Sequence, residues 1–420
     1  MSYGCQQDRL QLPDFEQSVV EYLCQQSNSL QNCAIYALKR AGRQAGSVDG
    51  NYYELDKHLK DNRHYRCLFS QVAQQALMGV CESFKSYAAL LQKWWKGELA
   101  DQPKPPHYRK SGGLAGISYP AQPLGLNAAI ETGLIRLPLG ATIKGLEGVS
   151  EIFIPAPANI HPELIREVRI FPRNRCFYVE WIYQRSVEKP TLNPANALGI
   201  DPGVKNWLTC VSTKGESFIL DGKRPNFWNR TLNREAAKHH KGYWSKKLAL
   251  MTEKRNRRMR DYINKSARRI ADYCIANDIG TVVFGWNKGA KQSINIGKRN
   301  NQNFVQLPTA KLKARLQVVL EELGINFVET EEAYTSKASF LDGDSLHKHG
   351  EKPDGWKASG KRTTTKLYRT AKGWIINADC NGAANILRKV ASILGLDLSE
   401  ITRGAVTRPQ RLDLYNSALV

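Results

Sequence analysis

The stretch Ala197-Leu198-Gly199-Ile200-Asp201-Pro202-Gly203 decides the reading of this chain. A short apolar run ending at a Pro-Gly turn signal predicts a buried strand with Asp201 at its exposed carboxyl end. A second stretch, NADCNGAANI at 377–386, opens an apolar-periodic helix and puts Asp379 near its start, about 180 residues later. Two carboxylates at opposite ends of a domain that folds back on itself can share a divalent ion. Two-metal hydrolysis of a phosphodiester needs several such acids, because the ions must be held while attacking and leaving oxygens are stabilised. Alone, Asp201 reads equally well as a turn-former before proline, and Asp379 as a helix cap. Their joint placement favours chemistry.

The pattern around them supports one domain order. Strand 197–201 is followed by WLTCVS, a Thr-Lys-Gly turn and SFILDG, which read as two further strands. A basic helical stretch (about 229–277), strand TVVFGW (281–286), helix 309–323, strand INFVET (325–330) and helix 381–394 complete the series. This β-β-β-α-β-α-β-α order is that of a ribonuclease-H-like domain, in which the first strand lies beside the fourth and acids at their carboxyl ends converge. Upstream, 14–43 and 65–95 carry apolar residues at helical spacing, DQPKPPHYRK at 101–110 breaks the pattern, and 116–183 reads as short strands.

An acid at the end of the fourth strand would complete the site, but the strand reads Val283-Phe284-Gly285-Trp286-Asn287, and 279–320 holds no Asp or Glu. The neighbouring strand offers Glu329, Glu331 and Glu332. Strands lie about 4.8 Å apart, a gap that a glutamate bridges. Of the pair Glu331 and Glu332, nearest the strand end, alternation lets only one face the metals, and the pattern does not choose. The plain alternative is that these glutamates solvate a strand end.

Composition narrows the partners. The 420 residues carry 61 Lys+Arg against 39 Asp+Glu, a formal net charge of +22. Such a surplus suits nucleic acid, since basic side chains displace the counterions condensed on phosphate. No long apolar segment, lipidation signal or secretion signal is present, so the expectation is a cytoplasmic, nucleoid-associated protein without a membrane partner. Nine cysteines stand singly with no Cys-x-x-Cys spacing, which suits a reducing compartment and argues against a zinc ribbon.

GIDPGVKNWLT, VVFGWNKGAKQ, EEAYTSKASFLDGD and NADCNGAANI resemble, in that order, the blocks of the transposon-associated TnpB (OrfB) family, which is related to the type V CRISPR effectors. The match covers about 197–390. The resemblance implies an RNA-guided DNA endonuclease with a RuvC-like nuclease domain, a guide RNA from the transposon end, and a double-stranded DNA target beside a short protein-read motif. By position it makes Asp201 the first catalytic aspartate and Asp379 the last. Gly285 stands where the family has its middle glutamate, and the acids before Tyr334 resemble a variant with that glutamate moved to the next strand. The cysteines that usually follow Tyr-Thr-Ser are missing, so no structural zinc is expected; His347 and His349 read as a solvated pair.

The expected fold class is thus α/β multi-domain, a RuvC-like ribonuclease-H-fold nuclease domain preceded by a helical and β-rich nucleic-acid-binding lobe. Its expected divisions are a helical recognition region at 1–100, a wedge-like β-rich region at 101–190, the nuclease domain at 195–395 with a flexible lid over about 337–376, and a tail at 396–420. Mg²⁺, or Mn²⁺ in its place, would be held by Asp201, Glu331 or Glu332, and Asp379. Nucleic-acid contacts are expected from Lys254, Arg255, Arg257, Arg258 and Arg260 on the basic helix, from Lys291, Lys298 and Arg299 in the loop after the fourth strand, and from Tyr108, Arg109 and Lys110. Trp94 and Trp95 read as core. Competing readings are a guided DNA-binding protein whose nuclease site has decayed, motivated by Gly285, and a transposase acting directly on DNA ends.

Overall fold

In a computed structural model, residues 2–45, 51–240, 242–287 and 306–415 are described. They form two compact units, Met1–Ser186 and Val187–Val420, joined into a mixed α/β, multi-sheet protein. No helix among the described residues is long and apolar enough to cross a membrane.

The first unit begins with strand β1 (Ser2–Leu10), followed by helices α1 (Asp14–Ala45), α2 (Tyr52–Leu59), α3 (Arg63–Cys67) and α4 (Ser70–Trp95). Then come β2 (Ile117–Pro120), α5 (Leu126–Thr132), β3 (Leu134–Pro138), α6 (Ala141–Glu147), β4 (Glu151–Pro155), β5 (Ile165–Arg173) and β6 (Cys176–Arg185). Its antiparallel sheet runs β1-β6-β5-β2, with β3 and β4 as a separate hairpin. Helical and strand-rich stretches share one core: Leu23, Leu30, Leu77 and Phe84 of α1 and α4 pack in the same cluster as Ile117, Ile170 and Trp181. The N-terminal segment ahead of the helices expected at 14–43 and 65–95 forms a strand: Ser2–Leu10 pairs residue by residue with β6, Ser2 opposite Arg185 and Leu10 opposite Phe177. This strand, SYGCQQDRL, runs through four consecutive polar residues at Gln6–Arg9, so its hydrophobic signal is weak.

The second unit carries β7 (Ala197–Pro202), β8 (Asn206–Ser212), β9 (Ser217–Asp221), α7 (Lys223–Ala236), α8 (Lys246–Ala276), β10 (Thr281–Gly285), α9 (Thr309–Glu322) and β11 (Asn326–Thr330). Three short strands follow, β12 (Lys361–Arg362), β13 (Leu367–Arg369) and β14 (Ile375–Asn377), then α10 (Ala378–Leu394), α11 (Arg403–Thr407) and β15 (Gln410–Leu412). The main sheet runs β11-β10-β7-β8-β9-β15. β8 is antiparallel to β7 and β9, while β10 is parallel to both β7 and β11. The first strand of the unit therefore lies beside its fourth, and Phe284 is opposite Ile200. One face packs on α8 and α9 through Ile270, Leu312 and Leu316. The other packs on α10 through Ala383, Ile386 and Leu387. Two features differ from the expectation. The basic helical stretch is broken into α7 and α8, and the chain after α10 returns to add β15 beside β9.

Candidate active site

Small residues bring the two decisive motifs together. A Cβ at Gly199 would stand 2.6 Å from the carbonyl oxygen of Ala383, so the absence of a side chain lets α10 lie directly on β7. A Cβ at Gly382 would likewise stand 2.8 Å from Oδ2 of Asp201. The helix start is fixed by Asn377, whose side chain accepts from the N–H groups of Asp379 (3.0 Å) and Cys380 (3.1 Å). Asp379 thus occupies the first turn, where an anionic side chain is stabilised by the helix dipole.

The geometry separates the two candidate glutamates. Glu332 turns toward β10: its Oε1 lies 2.9 Å from where a Cβ on Gly285 would stand. Its Oε2 accepts from Asn287 Nδ2 at 3.1 Å, and its N–H donates to Asn287 Oδ1 at 3.0 Å. Glu331 points away, with Oε1 3.0 Å from Nζ of the buried Lys389, and this pairing lowers its pKa. Glu329 pairs with Lys313 at 2.5 Å. One glutamate, Glu332, is therefore brought to the acids, and the space it fills is the space Gly285 leaves empty.

Burial sets the electrostatics. Dense packing around its carboxyl group raises the Asp201 pKa well above the usual range, and the charges of Glu332 and then Asp379 add to the effect. Desolvation raises Glu332 to about 7. Asp379 is held at both oxygens, by Arg362 Nη2 on Oδ1 and Asn206 Nδ2 on Oδ2, each at 2.6 Å. Among the described residues, no three acidic, His or Cys side chains are gathered tightly enough to form a ready metal cage. The donor set nonetheless fits a hard divalent cation: crowded, desolvated carboxylate oxygens are what such an ion binds and what its charge relieves. Arg362 supplies the positive charge beside Asp379.

Arg362 and Asn206 were missed at the sequence level. The first stands in the basic run Gly360-Lys361-Arg362-Thr363 and the second at a strand start, and neither has a spacing that announces its role.

Arg362 belongs to the segment expected as a flexible lid, which carries three short strands. Residues 361–377 form the antiparallel sheet β12-β13-β14. Asp342 accepts from Ser339 Oγ (2.5 Å) and Ala371 N (2.7 Å), Asp344 from Ser339 N (2.7 Å) and Ser359 N (3.1 Å). Asn381 and Asn385, one turn apart on α10, clasp Ala338, each donating to its carbonyl at 2.8 Å. His347 lies edge-on to Trp356 with ring centroids 5.8 Å apart, and the His349 N–H faces Glu331.

The residues expected to meet nucleic acid divide. Lys254 and Arg258 are exposed on α8, and Arg257 and Arg260 are partly buried there. Arg255, half-buried, donates to Asn229 Oδ1 (2.8 Å), Asn256 Oδ1 (2.9 Å) and the Gln306 carbonyl (3.4 Å), bracing α7 against α8. Lys291, Lys298 and Arg299 lie outside the described residues. Tyr108, Arg109 and Lys110 are exposed in the first unit, where Asn32 exchanges hydrogen bonds with the Arg109 backbone at 2.8 and 3.1 Å. Trp95, expected in the core, is 71% exposed at the end of α4.

Comparison with known proteins agrees with the resemblance. Residues 180–291 match the OrfB_IS605 family, described as "Probable transposase". Among solved structures, it is similar to a chain of the "Cas12f1-sgRNA-target DNA complex", with TM-score 0.52 and 16% identity over 89% of this chain and 83% of that one. A chain of a "CRISPR-Cas12f Ternary Complex" aligns over 89% of this chain and 81% of that one at 16% identity, but its TM-score of 0.34 carries no argument. No curated protein matches.

Proposed function

We propose that the protein is an RNA-guided DNA endonuclease of a transposon, with a RuvC-like ribonuclease-H-fold nuclease domain in its second unit, which cuts guide-matched duplex DNA beside a short flanking motif. One observation carries this reading: Glu332 Oε1 lies 2.9 Å from where a side chain on Gly285 would begin, and the charges of Glu332 and Asp379 both act on Asp201. A decayed site has no reason to keep a glutamate turned toward Asp201 where burial disfavours its ionisation. The strand order, the domain match and the basic surplus support the same reading.

In this reading Asp201, Glu332 and Asp379 would hold Mg²⁺ or Mn²⁺, which would supply an activated water and stabilisation of the leaving 3′-oxygen. Asn287 orients Glu332 through its paired hydrogen bonds. Asn206 holds one oxygen of Asp379 and Arg362 the other, so Arg362 keeps a positive charge at the acid that would bind the ion. Guide RNA, target DNA and a cytoplasmic, nucleoid-associated setting follow from the same reading.

A second reading keeps its own observation. With both Asp379 oxygens engaged by Arg362 and Asn206, the protein would target DNA under RNA guidance without cutting it. The experiment is to purify the protein from cells carrying its flanking DNA, sequence the bound RNA, and assay a matched duplex behind a randomised flank with Mg²⁺. Cutting that is lost in Asp201→Ala with guided binding intact supports the nuclease. RNA-programmed binding without cutting supports the second reading, and strand joining without RNA would revive a transposase.

A further inference from the structure

A cleft of about 550 Å³ opens between α7, α8 and the segment after β15, lined by four cations (Arg224, Lys254, Arg257, Arg258), one carboxylate (Asp261) and the rings of Trp228 and Tyr415. Its charges do not balance. Arg224 is paired with Asp413 at 2.9 Å, and Lys265 with Asp261 at 3.1 Å. Lys254, Arg257 and Arg258 have no carboxylate partner among the described residues. They stand at i, i+3 and i+4 of one helix, where like charges are neighbours and repel. The Arg257 Nε is also buried without an acceptor, which leaves a desolvated donor unpaired.

Aromatic rings hold these cations in place. The Arg258 guanidinium lies over Trp228 at 5.9 Å from the ring centroid, and the Arg224 guanidinium over Tyr415 at 4.8 Å. Tyr415 is tethered through its hydroxyl to Asp261 at 2.7 Å, and its ring packs against Tyr262 and Trp228. A guanidinium supported on a ring face keeps edge N–H donors free for an oxyanion, and its planar fork matches phosphate.

We propose that this cleft is a binding site for the phosphate backbone of a nucleic-acid strand, completed by the C-terminal segment that carries Asp413 and Tyr415. Lys254, Arg257 and Arg258 contact the phosphates; Trp228 and Tyr415 are positioning residues that keep the cationic fork open. The inference rests on the nucleic-acid-binding part of the proposed function and not on cleavage.

The test uses the full chain with Asp201→Ala, so that no substrate is consumed. Affinities for single-stranded RNA, single-stranded DNA and duplex DNA are measured across a salt series, with and without Lys254→Gln/Arg257→Gln/Arg258→Gln. Each phosphate contact contributes roughly 0.7–0.9 to the slope of log affinity against log salt, so the triple variant should lose about two units of slope and at least tenfold in affinity. Loss confined to RNA assigns the site to the guide strand, loss confined to DNA to the target, and either supports it. Arg258→Gln, a single exposed change, should lose about one unit of slope if the triple variant does not fold. Unchanged slopes in a folded variant, or weaker binding with unchanged slope, would overturn the site. Absence of cutting by the unsubstituted chain would instead overturn the nuclease reading and leave this test intact.

Discussion

At the scale of single residues, the pairing of Gly285 with Glu332 makes the sharpest predictions. Glu332→Gln should reduce cutting at least 100-fold, as expected when one of a few metal-holding acids is neutralised. Glu331→Gln should leave cutting within a few-fold, while the buried Lys389 loses its carboxylate partner, keeping only the His347 carbonyl, and thermal stability falls. Equal losses in both variants would undo the distinction drawn between them. Gly285→Ala places a methyl 2.6 Å from Ile386 Cδ1 and 2.9 Å from Glu332 Oε1, so it should act like Glu332→Gln despite adding no charge. Burial also predicts a pH dependence. Asp201 and Glu332 hold protons more tightly folded than unfolded, so without divalent ions stability is greatest below the usual carboxylate range. It declines as pH rises through about 7. Thermal melts in chelator from pH 5 to 8 should show this decline, and Asp201→Asn should flatten it; an unflattened slope would exclude these acids as its source. Asp201 and Asp379 were legible because each sits at an element boundary with turn or cap chemistry beside it. The choice of Glu332 was not, because both glutamates follow the end of β11, where alternation no longer dictates direction.

At the scale of elements, the contact between β7 and α10 is made of missing side chains. Gly199→Ala should cost about 1–3 kcal/mol in chemical denaturation, because the new methyl meets a carbonyl oxygen that cannot swing away. Gly382→Ala presses on the Asp201 carboxylate and should impair cutting more than its stability loss explains. Full activity in both would mean that the helix has slack. The strands β7 to β11 were readable from their apolar runs and tight turns, since fully buried strands are rich in Val, Ile and Leu. The sheet β12-β13-β14 was not, because its strands are two or three residues long and it is held by Asp342, Asp344, Asn381 and Asn385 rather than by an apolar pattern. Strand β15 escaped for the same reason of length.

At the scale of the whole molecule, a net charge of +22 should make RNA affinity fall steeply with salt, and a salt titration that leaves affinity flat would count against backbone contacts. Charge was fully legible in the sequence, but its allocation was not: Arg255 is consumed as an internal brace while Arg257 and Arg258, two and three residues on, line an open cleft. The long-range closure of the first sheet was hidden as well, and it bears on synthesis. Residues Ser2–Leu10 find their partner only at Phe177–Arg185. At about 5–20 residues per second, the nascent strand waits on the order of ten seconds or longer for its neighbour to be made. During that interval α1 to α4 can emerge and collapse, but the edge of β1 that β6 will pair stays open to any passing extended segment. The protein's vulnerability to misassembly is therefore greatest before its first unit is fully translated, and a chaperone acting at the ribosome would have its work there.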